Sequence, residues 1–275
     1  VIQIFTDREK LKIEEAKGYP LDVPNNSYVY INGDIYNIIK FNRLAIGDSI
    51  VQDGSEKLLL KDLSHRLKIN LDNNRVPVLA YGANASNIQL KSKYKNFKNV
   101  VIPVVQSKLI DFDVVYTPYI CYDGSIPATI QYSPKTECNV YVTYLTEEQL
   151  KHMHKTECIG EDYNYVKLFN IQMVLDVQVL EKEIYSYNSL HGCFHTGENH
   201  IALKCIKAIN RKFLSMSEEE LLLMVKNKLG ISKTLDEFIL DNINNPTLRN
   251  KTSERLAEMS REFQYNDWVV LDGDT

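Results

Sequence analysis

The stretch Arg75-Val76-Pro77-Val78-Leu79-Ala80-Tyr81-Gly82-Ala83-Asn84 reads as a short, continuously apolar strand running into a tight glycine turn. Apolar character without alternation predicts a strand buried on both faces. Gly82 permits backbone angles that other residues avoid, and consecutive amides in such a turn form a concavity suited to an anion. Asn84 or Ser86 is placed to cap a short following helix.

Downstream of this turn the chain is rich in strand signals. Val100 to Val105, Phe112 to Tyr116, Ala128 to Pro134, Cys138 to Leu145, Tyr163 to Phe169 and Met173 to Leu180 each read as a strand, with Cys138 to Leu145 the clearest in its β-branched and aromatic content. So many strands with so few intervening helices predict a closed β structure rather than a doubly wound sheet.

One helix interrupts them. Thr146-Glu147-Glu148-Gln149 is a capping box, in which the Thr oxygen accepts from the amide of the third helical residue, Gln149, whose side chain reaches back to the cap amide. The helix it starts carries Leu150, Met153 and Glu157 at positions i, i+3 and i+7, and so on one face. Glu157 is thereby aimed at the apolar side, near the helix C-terminus. Burial and the negative end of the helix dipole both raise the affinity of such a carboxyl for a proton. That is the direction required of a proton shuttle near neutral pH.

The flanks read differently. In residues 1–72 the run Ser27 to Phe41 surrounds Asn32-Gly33, a strong hairpin signal, and Leu44 to Val51 continues as strand and turn. Glu56 to Leu67 carries leucines at helical spacing. This predicts a small β-rich accessory module. The C-terminal part reads as helical: Ile201 to Phe213, then a helix capped by Ser217-Glu218-Glu219-Glu220 and stopped by Gly230, then Thr234 to Ile243 and Thr247 to Phe263. Trp268 to Leu271 reads as a strand or docked tail. The expected division is 1–72, 73–215 and 216–275.

Bulk properties exclude some functions. A net charge of -4 disfavours a general nucleic-acid or membrane-surface binder, since both need a basic face. The one basic run, Lys91-Ser92-Lys93-Tyr94-Lys95-Asn96-Phe97-Lys98, reads as a solvated surface segment. Five widely spaced cysteines suggest reduced thiols and a cytoplasmic protein. No apolar run approaches the roughly 20 residues of a membrane-spanning helix. The first residues, Val1 to Asp7, lack the basic region and apolar core of a secretion signal.

Two further constellations carry less chemistry. His191, Cys193, His195 and His200, with His152 and His154, lack the spacing of a zinc site, so no metal is expected. Cys121, Cys138 and Cys158 read as small apolar residues rather than nucleophiles, with no His-Asn pair placed to activate Cys158.

The segment Val78 to Asn84 resembles the signature loop of the gamma-glutamylcyclotransferase-like superfamily, with Ala83 where that loop commonly has Ser. Val140 to Glu157 resembles the strand and helix that lead to that family's catalytic glutamate. Tyr163 or Tyr165 matches an aromatic position several residues on, and Gly192 to Leu203 is similar to a loop near the family's C-terminus. The resemblance spans roughly residues 76–215.

It implies an α+β fold: a gamma-glutamylcyclotransferase-like mixed β-barrel core with short helices around a pocket. It also implies cyclisation of a γ-glutamyl amide to 5-oxoproline with release of an amine. Glu157 would be the general acid and base. Tyr81, Gly82, Ala83, Asn84, Tyr163 and Tyr165 would form the substrate-binding set, and no cofactor would be needed. The partner would be a small γ-glutamyl molecule, not nucleic acid or membrane, with the terminal extensions free to dock a protein. The alternative is a catalytically silent ligand-binding or docking module on the same fold.

Overall fold

The computed structural model describes residues 5–72, 74–175 and 178–271. A helix α1 (Asp7–Lys17) precedes two hairpins, β1 (Tyr28–Ile31) with β2 (Asp34–Lys40) and β3 (Ile50–Asp53) with β4 (Glu56–Leu59). The β1–β2 hairpin turns at Asn32-Gly33, which take φ of 50° and 106°. Positive φ at both central residues is the tight-turn geometry that matches strand twist, and only residues such as Asn and Gly adopt it readily.

After α2 (Leu60–Arg66) come β5 (Val76–Ala80), α3 (Asn87–Lys93), β6 (Val101–Tyr116), β7 (Ala128–Leu145), α4 (Glu147–Thr156), β8 (Tyr163–Leu175) and β9 (Gln178–Ser189). Five of these strands close on themselves. β5 pairs with β7, β7 with β6, β6 with β8 and β8 with β9, all antiparallel. β9 then returns to β5 in parallel, at Val78 and Tyr185. The result is a mixed five-stranded barrel, whose closure leaves β5 no free edge.

Alternate residues of β5 enter different buried clusters. Leu79 joins Val142 and Leu168, whereas Val78 and Ala80 join Tyr141 and Tyr165. Both faces of the strand are covered, which is why Val76 to Ala80 shows no polar alternation. α3 with its C-cap Tyr94, and α4, supply Leu90, Tyr94, Leu150 and Met153 to the second cluster.

The remaining elements are short strands β10 (Cys193–Phe194), β11 (Ile201–Leu203), β12 (Ala208–Ile209) and β13 (Leu214–Met216), helices α5 (Glu218–Lys228), α6 (Leu235–Asn244) and α7 (Pro246–Ala257), then β14 (Ser260–Arg261) and β15 (Trp268–Val270). α1 packs on the C-terminal helices: its Lys17 pairs with Glu219 of α5 at 3.0 Å and Asp236 of α6 at 2.8 Å.

Several elements differ from the sequence reading. Ile201 to Phe213 is not a helix. Ile201, Ala202 and Leu203 are all buried, with Ala202 opposite Val115 of β6, and Asn210 takes a positive φ of 55°. Pairing with β13 on one side and with β6 on the other overrides the helical spacing. The last helix ends at Ala257, and Ser260-Arg261 pairs with Cys193-Phe194. Val101 to Tyr116 and Ala128 to Leu145 are each one long strand, not two. Met173 to Leu180 spans the end of β8 and the start of β9; residues 176–177 fall outside the described residues. Glu56 to Leu67 is half strand and half helix. Among the described residues, no helix is long and apolar enough to cross a membrane.

Candidate active site

The site forms where β5 ends and α4 ends. Beyond Ala80 the chain passes Tyr81 and Gly82 into a single 3₁₀ turn, Ala83–Ala85, before α3 begins. The turn's own hydrogen bonds run from Ala85 N to Gly82 O and from Ser86 N to Ala83 O. They use the carbonyls of Gly82 and Ala83 and leave the two amides to other partners.

Gly82 has φ of -121°, outside the left-handed region. Its glycine is required by space instead: a Cβ there would lie 2.6 Å from the Tyr19 hydroxyl. That hydroxyl accepts from Ala128 N at 2.9 Å, so it is not free to withdraw. Asn84 does not cap α3, and neither does the Ser86 side chain. Asn84 reaches across the site.

α4 starts with the full reciprocal capping box at Thr146 and Gln149, and buries Leu150 and Met153. Glu157 is its C-cap residue, and its amide donates to Met153 O at 3.1 Å and His154 O at 3.3 Å. The Glu157 side chain is only 11 % exposed. It is not a lone acid. The Lys93 ammonium, 8 % exposed at the end of α3, contacts its Oε1. Asn84 Nδ2 donates to the same oxygen at 3.1 Å, while Asn84 Oδ1 accepts from Lys93 Nζ at 2.8 Å. Asn84, Lys93 and Glu157 thus form a closed ring of hydrogen bonds, with Met153 Sδ 3.4 Å from Lys93 Nζ.

Asn84, Lys93 and Glu157 line a cavity of about 400 Å³. Of the residues singled out from sequence, Tyr81, Gly82, Ala83, Asn84, Glu157 and Tyr163 all face it. Tyr81 donates its hydroxyl to Tyr187 O, and Tyr163 donates to Ala128 O at 2.9 Å. Burial pushes both phenols above their ordinary range, so both stay protonated at neutral pH. Tyr165 lies outside the cavity, stacked on Tyr185 with ring centroids 5.5 Å apart and edge-on to His154. It stands two residues further along β8, roughly 6.6 Å beyond Tyr163.

Lys93 was hidden in the sequence. Read as one of four solvated lysines, it is the exception: Lys91, Lys95 and Lys98 are exposed. The signal was its spacing, since Leu90, Lys93 and Tyr94 stand at i, i+3 and i+4 and share the buried face of α3.

The thiols also differ from expectation. Cys138 is buried, but Cys121 and Cys158 line the cavity and Cys158 is exposed. Burial pushes Cys121 up to about 12 and raises Cys158 as well, which keeps both as thiols rather than nucleophilic thiolates. The histidines disperse. His191 pairs with Asp162 at 3.2 Å, His154 Nδ1 meets the Tyr187 hydroxyl at 2.9 Å, and His195 packs on His200. Among the described residues, no group of three or more His, Cys, Asp or Glu side chains is arranged to hold a metal ion.

No family model matches the chain, and no curated protein matches it. Among solved structures it is similar to a "Gamma-glutamyl cyclotransferase", at 12% identity and a TM-score of 0.35, over 70% of this chain and 92% of that one. At that score the similarity carries no functional weight, and the chemistry rests on the site's own atoms.

Proposed function

We propose that this chain is a small-molecule enzyme of the gamma-glutamylcyclotransferase type. The observation that carries the reading is one shared cavity: Glu157, shielded from solvent, lines it together with the glycine turn Tyr81 to Asn84. A carboxylate that exchanges protons and a turn rich in backbone donors are the two parts such a reaction needs.

The steps follow from those parts. Glu157 takes a proton from the α-ammonium of a γ-glutamyl substrate. The freed amine attacks the γ-carbonyl carbon, forming a C–N bond and placing negative charge on the carbonyl oxygen. Amides of Gly82 and Ala83 hold that oxyanion. Its collapse breaks the bond to the leaving nitrogen as Glu157 gives that nitrogen the first proton; Glu157 then takes the surplus proton from the new ring nitrogen and passes it to the released amine, which departs as an ammonium. The products are 5-oxoproline and an amine, with no net proton gained or lost. Closure of a five-membered ring is intramolecular, so positioning supplies much of the rate. Tyr81 and Tyr163 form walls, and Tyr163, its proton engaged by Ala128 O, offers substrate only a lone pair.

One observation favours a second reading, a silent module that captures a ligand without turning it over. Lys93 and Asn84 already occupy one oxygen of Glu157, which a protein with no proton to move would tolerate equally well. Incubation with a panel of γ-glutamyl amides, scored by mass spectrometry for 5-oxoproline and free amine, separates the two. Turnover supports the enzyme; tight binding without product supports the module.

A further inference from the structure

The floor of the cavity holds two opposite charges. Lys93 and Glu157 are in contact, and both side chains are about nine-tenths removed from solvent. Among the described residues that line the cavity, Lys93 is the only lysine or arginine; Glu15, Asp123, Glu157 and Asp162 are all carboxylates. An anionic ligand group therefore has one charged docking point in this space.

A buried ion pair restricts what can join it. A ligand bearing only an ammonium would compete with Lys93 for Glu157 and leave the lysine short of its partner. A ligand bearing only a carboxylate would do the reverse to Glu157. Either outcome strands a desolvated charge, which is strongly unfavourable. A ligand with both charges on one carbon lies antiparallel to the pair and gives each member a second partner. The free head group of an α-amino acid is such a ligand.

We propose that Lys93 is the carboxylate-binding residue of the cavity, docking the α-carboxylate of a zwitterionic amino-acid head group while Glu157 receives its α-ammonium. This rests on the reading above for the ligand, a γ-glutamyl head group, and it holds whether or not turnover follows. It leaves the Gly82 and Ala83 amides to the γ-carbonyl oxygen. It also makes the substrate one with an unblocked α-carbon, ruling out γ-glutamyl residues within a peptide chain.

Calorimetry with γ-L-glutamylbutylamide, its α-carboxamide analogue and its Nα-acetyl analogue tests this. Wild type should bind the parent about tenfold or more tighter than either analogue, a difference of about 1.4 kcal/mol. Lys93→Arg should keep the preference for the carboxylate. Lys93→Met should bind parent and α-carboxamide alike while still rejecting the acetylated compound. If Lys93→Met fails to fold, the double variant with Glu157→Gln removes both charges and should bind without carboxylate preference. Equal binding of parent and carboxamide by wild type, undiminished carboxylate preference in Lys93→Met or the double variant, or no binding of the parent would each overturn the proposal. Assaying 5-oxoproline from the same parent keeps the two claims apart. Carboxylate-dependent binding without product sinks cyclisation alone, and product formation with carboxylate-independent binding sinks the role of Lys93 alone.

Discussion

The ammonium of Lys93 rests on the carboxylate of Glu157, 64 residues later in the chain, with Asn84 bonded to both. The ends of α3 and α4 are thereby tied together at the floor of the cavity. Removing one partner of a buried pair costs about 3–5 kcal/mol, because the other charge is left without compensation. Lys93→Met should therefore be strongly destabilising, and Lys93→Met combined with Glu157→Gln distinctly less so. Urea unfolding of the two single variants and the double variant measures this. Losses that simply add would mean the pair is not coupled.

Gly82 and Tyr19 form a second coupled pair. Gly82→Ala places a methyl group 2.6 Å from the Tyr19 hydroxyl, which is held by Ala128 N. Overpacking of this kind costs about 1–3 kcal/mol. In a Tyr19→Phe background the hydroxyl is gone, and the same substitution should cost less than half as much. Equal costs in the two backgrounds would show that the close approach is not what demands glycine.

Glu218 is a buried acid, 2 % exposed, accepting from Ile126 N at 2.6 Å through one oxygen. Burial, aided by the Asp123 carboxylate, pushes its pKa well above the ordinary 4.5. Below pH 4.5 the folded and unfolded chains both carry the proton. As pH rises past that value the unfolded chain loses it and the folded chain keeps it, so this residue's contribution to stability falls. Glu218→Gln keeps the acceptor and the neutral charge. At pH 7 it should melt about 2 °C or more above wild type, with the gap closing in acid. A lower melting temperature at neutral pH would contradict this.

His200 behaves in the opposite sense. Buried against His195 and Phe213, it is depressed from 6.5 to about 4, first by burial and then by the neighbouring His195. A base depressed by folding contributes stability above pH 6.5 that is lost as pH falls toward about 4. Thermal melts across that window should fall more steeply for wild type than for His200→Gln. Parallel curves would mean that His200 is not protonated on unfolding.

Much of the barrel was legible because its signals are local. Val76 to Ala80 is apolar throughout because both faces of β5 are covered, and Thr146 with Gln149 marks the start of α4 through contacts within one turn. Glu157 could be aimed inward from spacing alone, since Leu150 and Met153 fix the buried face of its helix. What stayed hidden depends on partners distant in the chain. Lys93 looks like its exposed neighbours until α4 is brought against α3. Ile201 to Leu203 looks helical until the edge of β6 is in place. Tyr163 and Tyr165 differ only in depth along β8, which no pattern records.

The central claim is that Glu157 moves the protons of a cyclisation in this cavity. Its most direct test is release of 5-oxoproline from γ-glutamyl amides by wild type and by Glu157→Gln, with folding of both verified by circular dichroism. The account predicts product from wild type and a loss of about a hundredfold or more in the variant. Full activity in a folded Glu157→Gln would contradict it.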